Sequence, residues 1–180
     1  MKLYSRSVCV FCGAQNGLTP EFKQLAFQVG QILGRHRLRL VYGGSKDGLM
    51  GAAADGVLSQ GGHVLGVLPE KLANKELAHK KIQQFITVES MAERKNILLQ
   101  ESDVFLILPG GLGTLDELFE VLTANSLGFM NKPVIIVNSF EFYSGLVDWL
   151  EKIASTGLSR SPNELFSVVT DLDSLERLLA

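Results

Sequence analysis

The sequence predicts an α/β fold: one domain built on a doubly wound, Rossmann-like, mostly parallel sheet with helices on both faces. Three observations carry that prediction. Short β-branched runs alternate with longer segments of helical period along the whole chain, the pattern of successive βαβ units. Most of the short runs are apolar on both faces, as parallel strands covered by helices on either side must be. Glycines gather directly after three of these runs, where a parallel sheet brings its loops to one edge.

Taken in order, residues 8–11 form the first strand, followed by Gly13 and Gly17 and a helix over 20–35. Residues 38–42 form the second strand, followed by Gly43, Gly44, Gly48 and Gly51 and a helix over 49–60. A third strand over 64–68 opens into residues 69–84, a polar stretch carrying Glu70, Lys71, Asn74, Lys75, Glu76, His79, Lys80 and Lys81 with little periodicity. A long polar connection leaving the carboxyl edge of such a sheet is usually functional or disordered. A strand over 85–88 and a helix over 91–101 come next. The strand over 104–108 ends at Gly110, Gly111 and Gly113, which open a helix over 114–129. Residues 134–137 and 166–169 complete the strands, and 142–155 and 172–179 the helices. Internal repeats, low-complexity tracts and Pro/Gly/Ser linkers are absent from the sequence.

Composition narrows the function. The chain has 180 residues, 46% of them hydrophobic, enough for one core. A net charge of −2 lacks the basic excess that holds a nucleic-acid backbone, so no nucleic-acid partner is expected. The apolar runs are too short to span a bilayer, and the polar start of the chain does not read as a signal peptide. Two cysteines, Cys9 and Cys12, are too few for a disulfide framework, so a reduced, cytoplasmic protein is expected. They form a C-x-x-C, but on a strand, where odd spacing sends them to opposite faces; burial is a better account than redox chemistry.

In a parallel sheet the three glycine turns share one edge, and each opens a helix whose free amides favour an anion. Together they predict a phosphate-binding crevice. No G-x-G-x-x-G follows the first strand, and no acidic residue ends the second, which argues against a dinucleotide. No G-x-x-x-x-G-K-[ST] is present, which argues against a P-loop. His36, His63 and His79 have no ligand spacing, so neither a metal nor a cofactor is expected. Asp47, in the second glycine turn, reads more readily as a turn residue than as a ribose contact.

Two strings sharpen this. Pro109-Gly110-Gly111-Leu112-Gly113-Thr114-Leu115-Asp116-Glu117 is preceded by Ser90-Met91-Ala92-Glu93-Arg94-Lys95. Together they resemble the "Lonely guy" family of cytokinin-activating phosphoribohydrolases, whose signatures are P-G-G-x-G-T-x-x-E and M-x-x-R-K. The similarity extends from the first strand to about residue 137, including Gly13, Gly43 and Gly44. It implies hydrolysis of a nucleoside 5′-monophosphate to free base and ribose 5-phosphate. It further implies Arg94 and Glu117 as the catalytic pair. Substrate contacts are implied at Glu76, Met91, Lys95, Gly110, Gly111, Leu112, Gly113, Thr114, Leu115, Asp116 and Thr123. The sequence departs from the family at Ser45, Ala92, Asn125, Ser126 and Met130, which leaves the base preference open.

Physical roles fit those residues. Thr114 is expected to cap a helix whose amides hold the phosphate. Glu117, near the positive end of the helix dipole, is expected to stay ionised and to face the positive charge that develops on the sugar. Arg94 can grip a phosphate or steady the leaving group. Thr114-x-x-Glu117 is equally the spacing of a capping box, in which Glu117 would only close the helix start. A non-enzymatic nucleotide or molybdenum-cofactor carrier on the same fold is the competing function, separated by the Arg94/Glu117 pair that a carrier does not need. The older decarboxylase label of such sequences fits poorly, since pyridoxal chemistry needs a Schiff-base lysine with a pyridinium partner. Leu115, Leu118, Phe119, Val121, Leu122, Leu127 and Phe129 offer more apolar surface than one buried stripe needs, which with the resemblance predicts a homodimer.

Overall fold

The first strand lies at the centre of the sheet, and the chain winds outward from it twice. In a computed structural model describing residues 4–73 and 78–180, β1 (Ser7–Phe11) is followed by α1 (Pro20–Arg35), β2 (Arg39–Tyr42), α2 (Gly48–Ser59) and β3 (Val64–Pro69). A short turn of helix, α3 (Glu70–Leu72), leads toward the edge strand β4 (Gln84–Val88). The chain then crosses back through α4 (Met91–Gln100) to β5 (Val104–Ile107), α5 (Leu112–Ser126) and β6 (Val134–Val137). It ends with α6 (Ser144–Ser155), α7 (Pro162–Leu165), β7 (Ser167–Val169) and α8 (Leu172–Leu179). The strand order is β4-β3-β2-β1-β5-β6-β7 and every pairing is parallel. The expected doubly wound sheet is therefore present, with all seven anticipated strands.

Alternation along the strands divides two cores. Val8, Val10 and Cys12 turn toward α1, α2 and α8, among Leu25, Val29, Leu33, Ala53, Val57 and Leu175. Cys9 and Phe11 turn toward α4 and α5, among Leu98, Phe105, Leu118 and Val121. The two cysteines thus face opposite ways, both are buried, and burial pushes both thiols up from their ordinary range. Among the described residues no helix is long and apolar enough to cross a membrane.

Boundaries differ from expectation in one place that matters. The helix expected over 114–129 begins two residues earlier, at Leu112, with Gly111 in extended conformation as its N-cap. Thr114 is therefore the third helical residue, not the cap, and the expected Thr114–Glu117 capping box does not form. The run of glycines lets the backbone enter the helix before Thr114 is reached. The sequence does use a capping box, at Ser90-x-x-Glu93: the Ser90 hydroxyl accepts from the Glu93 amide at 3.1 Å, and the Glu93 carboxylate accepts from the Glu89 amide at 2.9 Å.

Strand order reverses between β1 and β5, which is where doubly wound sheets leave a crevice at their carboxyl edge. The two loops meet there, the Gly13 amide donating to the Pro109 carbonyl at 3.0 Å.

Candidate active site

A cavity of about 480 Å³ opens at that crevice. Its walls come from all three glycine turns: Gly13, Gly43, and Gly111 with Gly113. The first-turn amides of α5, at Leu112, Gly113 and Thr114, precede the first intrahelical bond, from the Leu115 amide to the Gly111 carbonyl at 3.1 Å. Such amides are free donors at the positive end of a helix. Thr114 is buried, its side chain packed so closely on Gly110 that a Cβ there would collide with the Thr114 hydroxyl.

Because Thr114 and Glu117 are both helical and three apart, they share one face of α5, and both are buried at the cavity. Arg94 reaches the same place from α4. The Ser90 capping box fixes the start of that helix and puts Arg94 and Leu98, four residues apart, on its inward side. The Arg94 guanidinium donates through Nη1 to Glu117 Oε1 at 2.8 Å and through Nε to the Val67 carbonyl at 3.1 Å. The two side chains are only 8% and 10% exposed. Nη2 lies against Gly43, where any Cβ would collide with it.

Burial raises the pKa of Glu117 above the usual glutamate range; the charge and hydrogen bond of Arg94 act in the opposite sense without cancelling it. Two opposed influences thus set its charge, burial against the carboxylate and Arg94 for it. Glu117 sits in the second turn of α5, beyond the first turn in which terminal charge acts strongly. Arg94 is the nearer source of positive charge.

The other expected residues divide. Met91 and Asp116 line the cavity beside Arg94 and Glu117. Lys95 does not; it bridges Asp116 at 3.0 Å and Glu120 at 2.9 Å, and hydrogen bonds to these carboxylates raise its pKa. Leu112 and Thr123 are exposed and Leu115 is half-buried, and none of the three lines the cavity. Gly44 and Gly110 lie just behind its wall. Glu76 falls outside the described residues. Asp47 is exposed and away from the cavity, at the N-cap of α2, as its reading as a turn residue anticipates. Reasoning from sequence missed much of the apolar wall: Val10, Phe11, Cys12, Met50, Leu68 and Leu72. Three of these, Val10, Phe11 and Cys12, stand at the end of the first strand just before Gly13, and that adjacency was the available signal.

The family described as "Possible lysine decarboxylase" matches residues 50–179. A cytokinin riboside 5′-monophosphate phosphoribohydrolase of Rhodococcoides fascians is 44% identical over 153 residues, covering 84% of this chain and 77% of that protein. An Arabidopsis thaliana protein of the same name is 40% identical over 84% of this chain and 70% of its own. Among solved structures, the molybdenum cofactor binding protein of Rippkaea orientalis superposes with a TM-score of 0.76 at 24% identity, over 99% of this chain and 97% of that one. The molybdenum cofactor carrier protein of Chlamydomonas reinhardtii gives 0.77 at 20% identity, over 97% and 96%. These two likenesses show the fold alone. The sequence matches show more: the chain belongs to the family described as possible lysine decarboxylases, whose curated relatives are named cytokinin riboside 5′-monophosphate phosphoribohydrolases.

Proposed function

We propose that this protein hydrolyses the N-glycosidic bond of nucleoside 5′-monophosphates, AMP or its N6-prenylated counterpart, releasing free base and ribose 5-phosphate. The single observation that carries the reading is the buried Arg94–Glu117 pair set beside free helix amides in one cavity. The amides of Gly113 and Thr114, which line the cavity, supply donors for the 5′-phosphate. Binding at that point orients the ribosyl bond, so phosphate binding energy serves the reaction. As the bond to the base lengthens, positive charge builds on the sugar. The buried Glu117 carboxylate stabilises that charge and orients the attacking water. The second amine of the Arg94 guanidinium is available to the leaving group or to phosphate.

The decarboxylase description fits the site poorly. Among the described residues no lysine lines the cavity, and Lys95, on the catalytic helix, is held charged by two carboxylates, whereas a Schiff-base lysine must lose its proton.

We further place the protein in the cytoplasm and assign it a homodimer. Leu127 and Phe129, just past the end of α5, are 67% and 81% exposed, and Trp149 on α6 is 52% exposed while its neighbours Leu146, Val147 and Leu150 pack on the core. A second copy would cover such exposed apolar side chains. Light scattering should give twice the chain mass at micromolar concentration; a monomer would end the dimer assignment.

The deciding experiment is chromatographic detection of free base from a panel of nucleoside mono- and diphosphates and free nucleosides. AMP-like monophosphates should be cleaved and adenosine far more slowly. Equal rates for AMP and adenosine would remove the phosphate from the argument. Tight AMP binding without base release would favour a carrier.

A further inference from the structure

His79 is buried although it lies in the most polar connection of the chain, and the mechanism above does not use it. Its ring is held at both nitrogens. The Lys81 amide donates to Nδ1 at 3.3 Å, which leaves the proton on Nε2, and Nε2 donates to Asp55 Oδ1 of α2, also at 3.3 Å. Its backbone is held too: the His79 amide donates to the Gly44 carbonyl at 3.1 Å, and Ala78 pairs with Ser45 in an antiparallel bridge. Residues 78–81 therefore fasten α2 to the 43–45 turn. Within the turn Gly44 holds a left-handed φ of +76°, which glycine adopts without strain.

The turn is also the surface on which Arg94 rests, since Gly43 touches Nη2, and Ser45 lines the cavity. We propose that His79, clasped by Asp55, is a positioning residue for Arg94: the clasp sets the 43–45 turn, and the turn sets the guanidinium. The consequence for turnover rests on the reading that Arg94 acts on the substrate. Neither Asp55 nor His79 lines the cavity, so neither touches substrate there.

Asp55 is 55% exposed, so replacing it leaves no unpaired buried charge and Asp55→Ala should fold. Asp55→Asn keeps an acceptor for Nε2, and His79→Leu keeps the volume while removing both ring hydrogen bonds. Displacing a reacting group by ~1 Å costs up to about 100-fold. A partial loosening should accordingly lower kcat about tenfold in Asp55→Ala and His79→Leu, with KM within about twofold and Asp55→Asn close to wild type. The second readout is the Arg94 Nε–H resonance in a nitrogen-15 spectrum, which should shift in Asp55→Ala and His79→Leu but not in Asp55→Asn. Unchanged kcat with an unmoved Arg94 signal in the first two variants would overturn the proposal. So would a loss confined to thermal stability, or an equal loss in Asp55→Asn and Asp55→Ala. If the wild type releases no base from any nucleotide, the proposed function fails, and the Arg94 signal alone decides the clasp: movement supports it and no movement overturns it.

Discussion

Two buried arginines, each paired with a glutamate, stand at opposite ends of the same sheet. At the amino edge, Arg39 commits every guanidinium nitrogen to the protein. Nε donates to the Ser7 hydroxyl at 3.0 Å, Nη1 to Gln84 at 3.4 Å, and Nη2 to the Glu101 carboxylate at 2.7 Å and carbonyl at 3.0 Å. The Tyr4 ring lies over it, 4.7 Å from the guanidinium carbon. At the carboxyl edge, Arg94 commits Nε and Nη1 and leaves Nη2 without an acceptor among the described residues, beside a cavity. The glutamates differ as well: Glu101 is 42% exposed and Glu117 only 10%. On the proposed function, the closed pair with a solvated partner fastens the fold, while the desolvated pair with a donor in reserve serves a substrate.

The comparison breaks most sharply at Glu117. Glu117→Gln is nearly isosteric and still accepts from Arg94, so AMP binding measured by calorimetry should persist. Single-turnover base release should fall by about 10²–10³, because the lost charge acts mainly in the transition state. Normal turnover would make this pair a fastener like the other. Gly43→Ala tests the same pair from beneath. Its Cβ would occupy the place of Nη2, so Arg94 must move, and kcat should drop by about 10²-fold while the sheet, which the turn only adjoins, stays folded. A fully active Gly43→Ala enzyme would mean that the guanidinium position is not critical.

The two ends were not equally legible. Short runs apolar on both faces and glycine clusters made the seven strands, their mostly parallel pairing and the crevice edge readable, because burial on both faces leaves a direct trace in composition. The helix starts were readable only in part. Ser90-x-x-Glu93 and Thr114-x-x-Glu117 are the same string, yet only the first caps a helix. Glycines before Thr114 move that helix start upstream, and this turns a capping pair into two buried neighbours at the cavity. The apolar cavity wall and the Arg39 network were hidden for a different reason. Members of the Arg39 network are far apart in sequence: the β1–β2 register sets Ser7 opposite Arg39, and the end of α4 brings Glu101 to them.

The pH dependence should separate the pairs again. Burial lifts the native pKa of Glu117, so base release should fall on acidification at a higher pH than an exposed glutamate would give. Stability moves the other way. A carboxyl whose pKa is raised on folding stabilises the native state fully below its unfolded pKa. It loses that contribution as pH rises through the native pKa. Thermal melts should therefore show the wild type losing stability relative to Glu117→Gln as pH rises through that window. An acid limb at the ordinary glutamate value would show that Arg94 fully offsets desolvation.

At the amino edge the effects should fall on stability alone. Arg39→Met removes a buried donor set and leaves the Ser7 hydroxyl and the Glu101 carbonyl to find water, which should cost about 2–3 kcal/mol in denaturant unfolding with kcat within about twofold. Glu101→Gln should be milder still. Its carboxylate is nearly half in solvent, where screening leaves such a pair worth about 1 kcal/mol or less, and the amide oxygen can still accept from Arg39. The Glu101 carbonyl bond to Arg39 is untouched by the substitution. Unfolding should thus shift by under ~1 kcal/mol and base release should be unchanged. Set beside Glu117→Gln, the same replacement of carboxylate by amide then reads out as turnover at one end of the sheet and as almost nothing at the other. A large loss of activity in Glu101→Gln would show that the amino edge takes part in the reaction and that the division between fastener and site is wrong.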